Sequence, residues 1–233
     1  MIIGTMITFN EADRYLEASL TRLVDICDKV FVADDQSTDD SLQIAKDLGC
    51  QTWVRTDDIP TFSVHEGAFR QAAWDQMAKQ LKVREGQWIL SVDADEYFSG
   101  TKAQLKQLVS DAQARECYSF PFREVWTLEP LQVRTDGFWA SNLNRRMRKF
   151  TPNAKFRDVS MGCGSVPVCR AATEIHKMPI LHYGYAVEED RKRKSEFYNS
   201  LEHGHNNNHI QSILKKPQLE DLDIRVEFWK GRR

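Results

Sequence analysis

No apolar run in this chain of 233 residues approaches the ~20 needed to span a bilayer, so whatever the chain acts on is met in solution or at a membrane surface. The first residues carry no basic n-region and no small-residue cleavage site, so no signal peptide is expected. Cysteine is sparse. Cys27, Cys50, Cys117, Cys163 and Cys169 are odd in number and scattered, and no C-x-x-C occurs. This excludes a zinc ribbon or a disulfide framework and predicts a reducing, cytoplasmic location. The net charge is only −2, so the whole molecule has no bulk attraction for polyanions. Internal repeats and low-complexity linkers are also missing. What remains is a globular composition, 41% hydrophobic and 28% charged, sufficient for one large α/β domain or a domain with an appendage.

Taken in order, residues 1–9 predict a strand, and a helix follows to 27 with Leu16, Leu20, Leu23 and Val24 at helical spacing. A second strand over 29–33 runs into Asp34-Asp35-Gln36-Ser37-Thr38-Asp39-Asp40-Ser41. Ser37 or Thr38 is suited to cap the next helix, which carries Leu42, Ile44, Ala45 and Leu48 and closes at Gly49. A short strand over 51–55, a break at Pro60 and a helix over 64–81 come next, the helix buried through Phe69, Ala72, Ala73, Met77 and Leu81. Then Trp88-Ile89-Leu90-Ser91-Val92 predicts a buried strand that ends abruptly in Asp93-Ala94-Asp95-Glu96. A helix over 101–115 leads to a strand-like stretch over 117–126 broken at Pro121. Residues 130–137 and 143–150 predict a hairpin or irregular strands, 159–168 a glycine-rich loop, 179–185 a strand and 188–214 a long polar helix. The tail is expected to be mobile or to dock through Val226, Phe228 and Trp229.

Strand–helix pairs in succession argue for an α/β fold, a mostly parallel central sheet with helices on both faces. Two strand ends carry acids, Asp34-Asp35 and Asp93/Asp95, and in such sheets both lie on the edge where ligands bind. Two carboxylates one residue apart repel each other unless a cation, a donor or a proton intervenes. A hard divalent ion, Mg²⁺ or Mn²⁺, suits that pair, and such ions usually also hold phosphates. Asp34-Asp35 alone also fits a helix-capping cluster. Together the clusters fit one ligand, with a base or sugar at one end and a metal-bound diphosphate at the other.

Four stretches, in order, carry a resemblance. Thr8-Phe9-Asn10-Glu11-Ala12, Val32 to Ser41, Trp88 to Glu96, and Pro179-Ile180-Leu181-His182-Tyr183-Gly184-Tyr185 with Glu189, Asp190, Lys194 and Tyr198 resemble the T-Y-N-E, V-D-D-G-S-T-D-D-S, W-I-L-x-L-D-A-D-E and closing H-x-x-Y motifs of the family 2 glycosyltransferases of GT-A fold. The resemblance implies a Rossmann-like GT-A domain that transfers a sugar, with inversion, from a nucleoside diphosphate, UDP by its base contact, to a hydroxyl. It implies a nucleotide-sugar half over 1–116, an acceptor-side half over 117–187 and a helical extension over 188–233. Thr8, Phe9, Asn10, Glu11, Asp34 and Ala94 would line the donor site. Asp35 would accept from the base ring N–H, which favours uracil, and Arg70 would reach toward the donor. Asp93 would contact the ribose or the metal, Asp95 the metal, and His182 would be a further ligand. Inversion also needs a carboxylate base. Asp158 is the first choice, with Glu124, Asp136 and Glu174 behind it.

Arg134, Arg145, Arg146, Arg148, Lys149, Lys155 and Arg157 form a basic stretch with Asp136 and Asp158 as its nearby acids. Arg145, Arg146, Arg148 and Lys149 are expected to face the acceptor or the diphosphate. The excess also fits a polyanionic acceptor such as DNA, against which the net charge and the lack of a DNA-binding motif weigh. His203, His205 and His209 offer two imidazoles at i, i+4 without a carboxylate partner, more in keeping with a solvated helix end. The acceptor class stays open among a glycan, a protein and a hydroxymethylated DNA base, and no motif sets the oligomeric state. The rival readings are a nucleotidyltransferase, which would show G-x-G-T-R where Thr8-Phe9-Asn10-Glu11 stands, a D-x-D-x-T phosphatase, which would not have Tyr97 after its acids, and a non-catalytic binding module.

Overall fold

A computed structural model describes residues 1–111, 115–140, 142–200, 211–213 and 215–222, with the backbone alone at 197, 198 and 200. Strand β1 (Ile2–Thr8) is followed by α1 (Leu16–Ile26), β2 (Lys29–Asp34), α2 (Ser41–Asp47), β3 (Gln51–Val54), α3 (Glu66–Leu81) and β4 (Trp88–Ser91). These are the alternating units that the apolar periodicity predicts. β3, β2, β1 and β4 lie side by side and parallel, with Thr8 level with Asp34 and Thr5 level with Ser91. Their C-terminal ends therefore share one edge. α1, α2 and α4 (Lys102–Ser110) cover one face through Leu16, Leu20, Leu23, Ile26, Ala45 and Leu105. α3 covers the other through Phe69, Ala73, Trp74 and Met77.

Two local expectations are corrected. Val24 is partly exposed, and Ile26 takes the buried position at the end of α1. Neither Ser37 nor Thr38 caps α2: its N-cap is Asp40, with no side-chain bond. Gly49 does end that helix, at φ 73°. Thr101 caps α4 in a capping box with Gln104.

Beyond β4 the sheet turns antiparallel. The full order is β11-β7-β6-β8-β4-β1-β2-β3, where β6 is Cys117–Leu128, β7 is Leu131–Arg134, β8 is Leu143–Lys149 and β11 is Leu219–Asp221. Pro121 does not break β6. The strand pairs with β8 up to Pro121 and with β10 (Ile180–His182) from Phe122 onward, so the missing N–H falls where the ladder changes neighbours. β10 also runs antiparallel to β5 (Glu96–Phe98), and β9 (Thr173–Glu174) pairs with β6. The expected long polar helix is described as α5 (Glu188–Ser200), with 211–213 again helical. His203, His205, His209, Val226, Phe228 and Trp229 lie outside the described residues, as does the side chain of Tyr198.

Candidate active site

The loops after β1 and β2 are zipped together, which is what Ser37, Thr38 and Asp39 do instead of capping. Asn10 N–H donates to Ser37 Oγ (3.0 Å), Glu11 N–H to Ser41 Oγ (2.8 Å) and Ala12 N–H to Asp39 Oδ2 (3.0 Å), while Thr38 N–H donates to Asn10 Oδ1 (2.8 Å). Asn10 and Gln36 sit at positive φ where the two loops leave the sheet. Phe9 is left 54% exposed on the rim. Beneath the zip, Thr8 Oγ1 and Asp34 Oδ1 are buried without a hydrogen-bond partner among the described residues. Asp34 Oδ2 accepts from Ser37 N–H (2.9 Å). On the opposite face Asp35 is buried, accepting from Arg55 Nε and from Phe62 N–H (2.9 Å). Two of about four acceptor positions on that carboxylate are thereby used. Arg55 also holds Gln36 Oε1 (2.8 Å) and Ile59 O (2.8 Å).

Asp93 and Asp95 occupy the turn between β4 and β5, and each carries its own cations. Asp93 meets Arg70 Nη2 at 3.2 Å and Arg146 Nη2 at 3.4 Å. Burial works to raise its pKa, but Arg70 and then Arg146 hold it below the usual carboxylate value. Glu66 accepts from Arg70 Nε (2.8 Å), and Glu96 is paired with Arg146. Burial lifts the Glu96 carboxyl to about 6 against the pull of Arg146. Asp95 Oδ2 lies 3.2 Å from Lys194 Nζ and 3.3 Å from His182 Nε2. Burial again opposes ionisation, and Lys194 and His182 hold Asp95 well below its ordinary range.

Strand register brings His182 there. Its Cα is level with Glu96 on one side and Glu124 on the other. Glu124 is 3% exposed and bonded to His182 Nδ1, which turns Nε2 toward Asp95. Burial pulls the imidazole pKa down, but Glu124, with Asp95 behind it, pushes it up to about 10. Glu11 stands nearby and accepts from Arg14 (2.6 Å), which also bonds Asp190 on α5 (2.9 Å). Burial, with Asp95 adding to it against Arg14, lifts Glu11 to about 7.

Asp95 and His182 could hold a hard divalent ion, with His182 giving up its Nε2 proton to do so. Two ligands at ~2.1 Å and right angles stand ~3.0 Å apart, close to the separation of Asp95 and His182. Among the described residues no three His, Cys, Asp or Glu side chains are grouped to hold one ion. Further ligands would have to come from phosphate oxygens and water, as Mg²⁺ usually arranges.

The basic stretch divides. Arg146 serves Asp93 and Glu96, Arg148 is buried on Glu116 (2.9 Å) and the Val168 carbonyl, and Arg157 holds the Gly162 carbonyl. Arg134 is 1% exposed between Trp126 and Trp139 and forks onto Asp136. Arg145 alone of the four expected outward cations is exposed, with a bond to the Cys169 carbonyl (3.4 Å), while Lys149 lies over Trp88 at 5.3 Å. Ala94 is buried in the core. Of the proton-acceptor candidates, Glu124 and Asp136 are engaged as above, and Glu174 is exposed on β9 beside His176 (3.6 Å). Asp158 is 95% exposed, 3.4 Å from His65 Nε2. Three side chains that sequence reasoning left without a role are Glu66, Arg55 and Lys194. Lys194 alone had a signal, its place in the closing motif.

Among the described residues no helix is long and apolar enough to cross a membrane. A relative, an uncharacterized glycosyltransferase of Rickettsia prowazekii (strain Madrid E), is 36% identical over 94 residues, 40% of this chain and 27% of that protein. The chain thus matches about a quarter of the length of this curated relative. Among solved structures, S. aureus TarS superposes with a TM-score of 0.46 at 17% identity, over 91% of this chain and 42% of that one. A glucosyl-3-phosphoglycerate synthase of Mycobacterium tuberculosis, in complex with Mn²⁺, UDP and glucosyl-3-phosphoglycerate, gives 0.36 at 20% identity over 53% and 44%. Residues 5–171, which contain the zipped loops and both aspartates of the turn, match Glycosyl transferase family 2, and the chain belongs to that family.

Proposed function

We propose that this glycosyltransferase moves a sugar from a UDP-sugar to a hydroxyl acceptor with inversion, and that a divalent ion, Mn²⁺ or Mg²⁺, binds at Asp95 and His182. The observation that carries the reading is the convergence of Asp95, His182 and Lys194 with Asp93, Arg70 and Arg146 at the strand edge beside the zipped loops. Cleavage of the donor leaves negative charge on the diphosphate. The ion supplies positive charge against it when bound. Asp93, paired with two arginines, contacts the ribose in this reading. Asp35 has acceptor capacity left for the base ring N–H, and Phe9 stands exposed beside the zipped loops. Arg70 and Arg146 keep Asp93 ionised and in place. Asp158, outside this ring of ion pairs, is proposed as the base that takes the acceptor proton. The division of the basic stretch into internal pairs favours an acceptor other than a polyanion.

The test is release of UDP from a UDP-sugar. Release with Mn²⁺ that stops in chelator and is lost in Asp95→Ala supports the reading. A protein that neither binds UDP nor releases it under any metal condition overturns it.

A further inference from the structure

Helix α5 is fastened across the site by its first turns. Asp190 accepts from Arg14 (2.9 Å) and from Tyr15 (3.2 Å), and Arg191 donates to the carbonyls of Tyr185 (2.6 Å) and Trp126 (2.9 Å). One turn on, Lys194 projects inward. Its Nζ lies 3.2 Å from Asp95 Oδ2, 3.3 Å from His182 Nε2 and 4.6 Å from the centre of the Tyr185 ring. Gly184 forms the floor of this group. A Cβ there would collide with Lys194 Nζ and come within 2.5 Å of Asp95 Oδ2 and 2.7 Å of His182 Nε2. An ammonium thus stands against the same two atoms that fit a divalent ion. An ion and an ammonium cannot share that space, because both are positive and only one carboxylate lies between them.

We propose that Lys194 and the divalent ion take turns on Asp95. Before metal arrives the ammonium neutralises the carboxylate and keeps the turn in shape. When the ion enters with the diphosphate, Lys194 leaves Asp95 and pairs with a phosphate oxygen. Its flexible stem permits that swing, and its compact charge suits phosphate. Neither Arg70 nor Arg146 can do this, since both are buried and bonded to acids. The exchange explains why a half-buried lysine is held against Asp95 and His182, and it makes metal and donor bind together rather than separately. The inference rests on the metal reading above.

The experiment measures Mn²⁺ affinity of the whole chain by electron paramagnetic resonance of the free ion, at one pH, then UDP affinity by calorimetry with Mn²⁺ saturating. Lys194→Met, which keeps an unbranched stem without the charge, is expected to bind Mn²⁺ alone at least tenfold more tightly than wild type, and UDP in saturating Mn²⁺ at least tenfold more weakly. Lys194→Arg is expected to stay near wild type in the first arm. Unchanged or weaker Mn²⁺ binding by Lys194→Met, or unchanged UDP binding in Mn²⁺, overturns the exchange while wild-type Mn²⁺–UDP binding leaves the metal reading intact. A wild-type protein that binds UDP but takes up no Mn²⁺ with it overturns both.

Discussion

His182 donates through Nδ1 to Glu124, and its Nε2 faces Asp95 at 3.3 Å. A carboxylate behind a ligating imidazole fixes the ring and raises its basicity, and loss of such a partner typically weakens metal binding by 10–100-fold. Glu124→Gln is therefore expected to lower Mn²⁺ affinity about tenfold, since the amide still accepts from Nδ1–H but carries no charge. Turnover at saturating Mn²⁺ should stay close to wild type. Normal Mn²⁺ affinity with collapsed turnover would instead make Glu124 the base.

Asp35 has a structural task besides the one proposed at the base. Its partner Arg55 is 8% exposed, and removing one member of a buried pair costs about 3–5 kcal/mol. Asp35→Ala should thus lower the melting temperature and also weaken UDP binding, by roughly ten- to a hundredfold for an unmade bond of ~1–3 kcal/mol. Calorimetry on protein shown to be folded separates the two effects. Equal UDP affinity in the folded fraction would leave Asp35 with the structural task alone.

Glu66 joins the two sides of the site. One oxygen takes Arg70 Nε, and the other accepts from Gly162 N–H (2.5 Å) and Cys163 N–H (3.2 Å). Carbonyls 159 and 160 in turn accept from the first N–H groups of α3. Glu66→Ala should release this strap and leave Arg70 with Asp93 alone. The expected signs are faster hydrogen exchange at the Gly162 and Cys163 amides and a loss of about 3–5 kcal/mol in stability. Exchange at those amides equal to wild type would mean that the strap is held by other contacts.

Asp136, one of the carboxylates the sequence offers as base, is engaged by Arg134. It holds Arg134 through 2.6 and 2.8 Å bonds and accepts from Gln218 N–H (3.1 Å). The bond to Arg134 is the main reason its pKa is lowered in the folded chain. A depressed carboxyl adds stability above its unfolded pKa, and that stability is lost as pH falls through the folded pKa. Asp136→Asn should therefore destabilise the protein by ~1–3 kcal/mol near neutral pH. The gap to wild type should close in acid, at pH values below the usual carboxylate range, and transfer should persist wherever the variant is folded. A pH-independent gap would point to packing instead.

Strands β1 to β4 were legible because each is a short apolar run that ends in acids or a turn, a signal carried by neighbours in sequence. Asp93 and Asp95 were legible for the same reason. The partners of those acids were not. Glu124 meets His182 only through the register of β6 with β10, and Glu66 meets Gly162 across 96 residues. Arg146 and Arg148 read as surface charge because nothing local says which acids they will find. Pro121 read as a break because a strand's change of neighbour leaves no periodic trace. β11 is a short polar edge strand, and residues of that kind alternate too little to announce themselves.

Asp158 carries the remaining question, the base. It lies in the strap that Glu66 holds, so its backbone is fixed although its side chain is 95% exposed. His65 caps α3 by accepting from Ala68 N–H at Nδ1 (3.1 Å). In the neutral ring that leaves the proton on Nε2, which faces Asp158 at 3.4 Å. Asp158 thus has the His65 ring beside one oxygen while its side chain otherwise stands in solvent. Asp158→Asn should cut turnover by about 10²–10⁴, the usual share of general base catalysis, with UDP affinity unchanged. His65→Ala should lower turnover less and leave the same carboxylate in place. An Asp158→Asn enzyme with normal turnover would turn attention to Glu11, whose carboxyl, lifted to about 7 by burial and by Asp95, is poised in the range a general base needs. Glu11→Gln would then lose turnover while keeping the zip, because Ser41 accepts from the Glu11 backbone and not from its side chain.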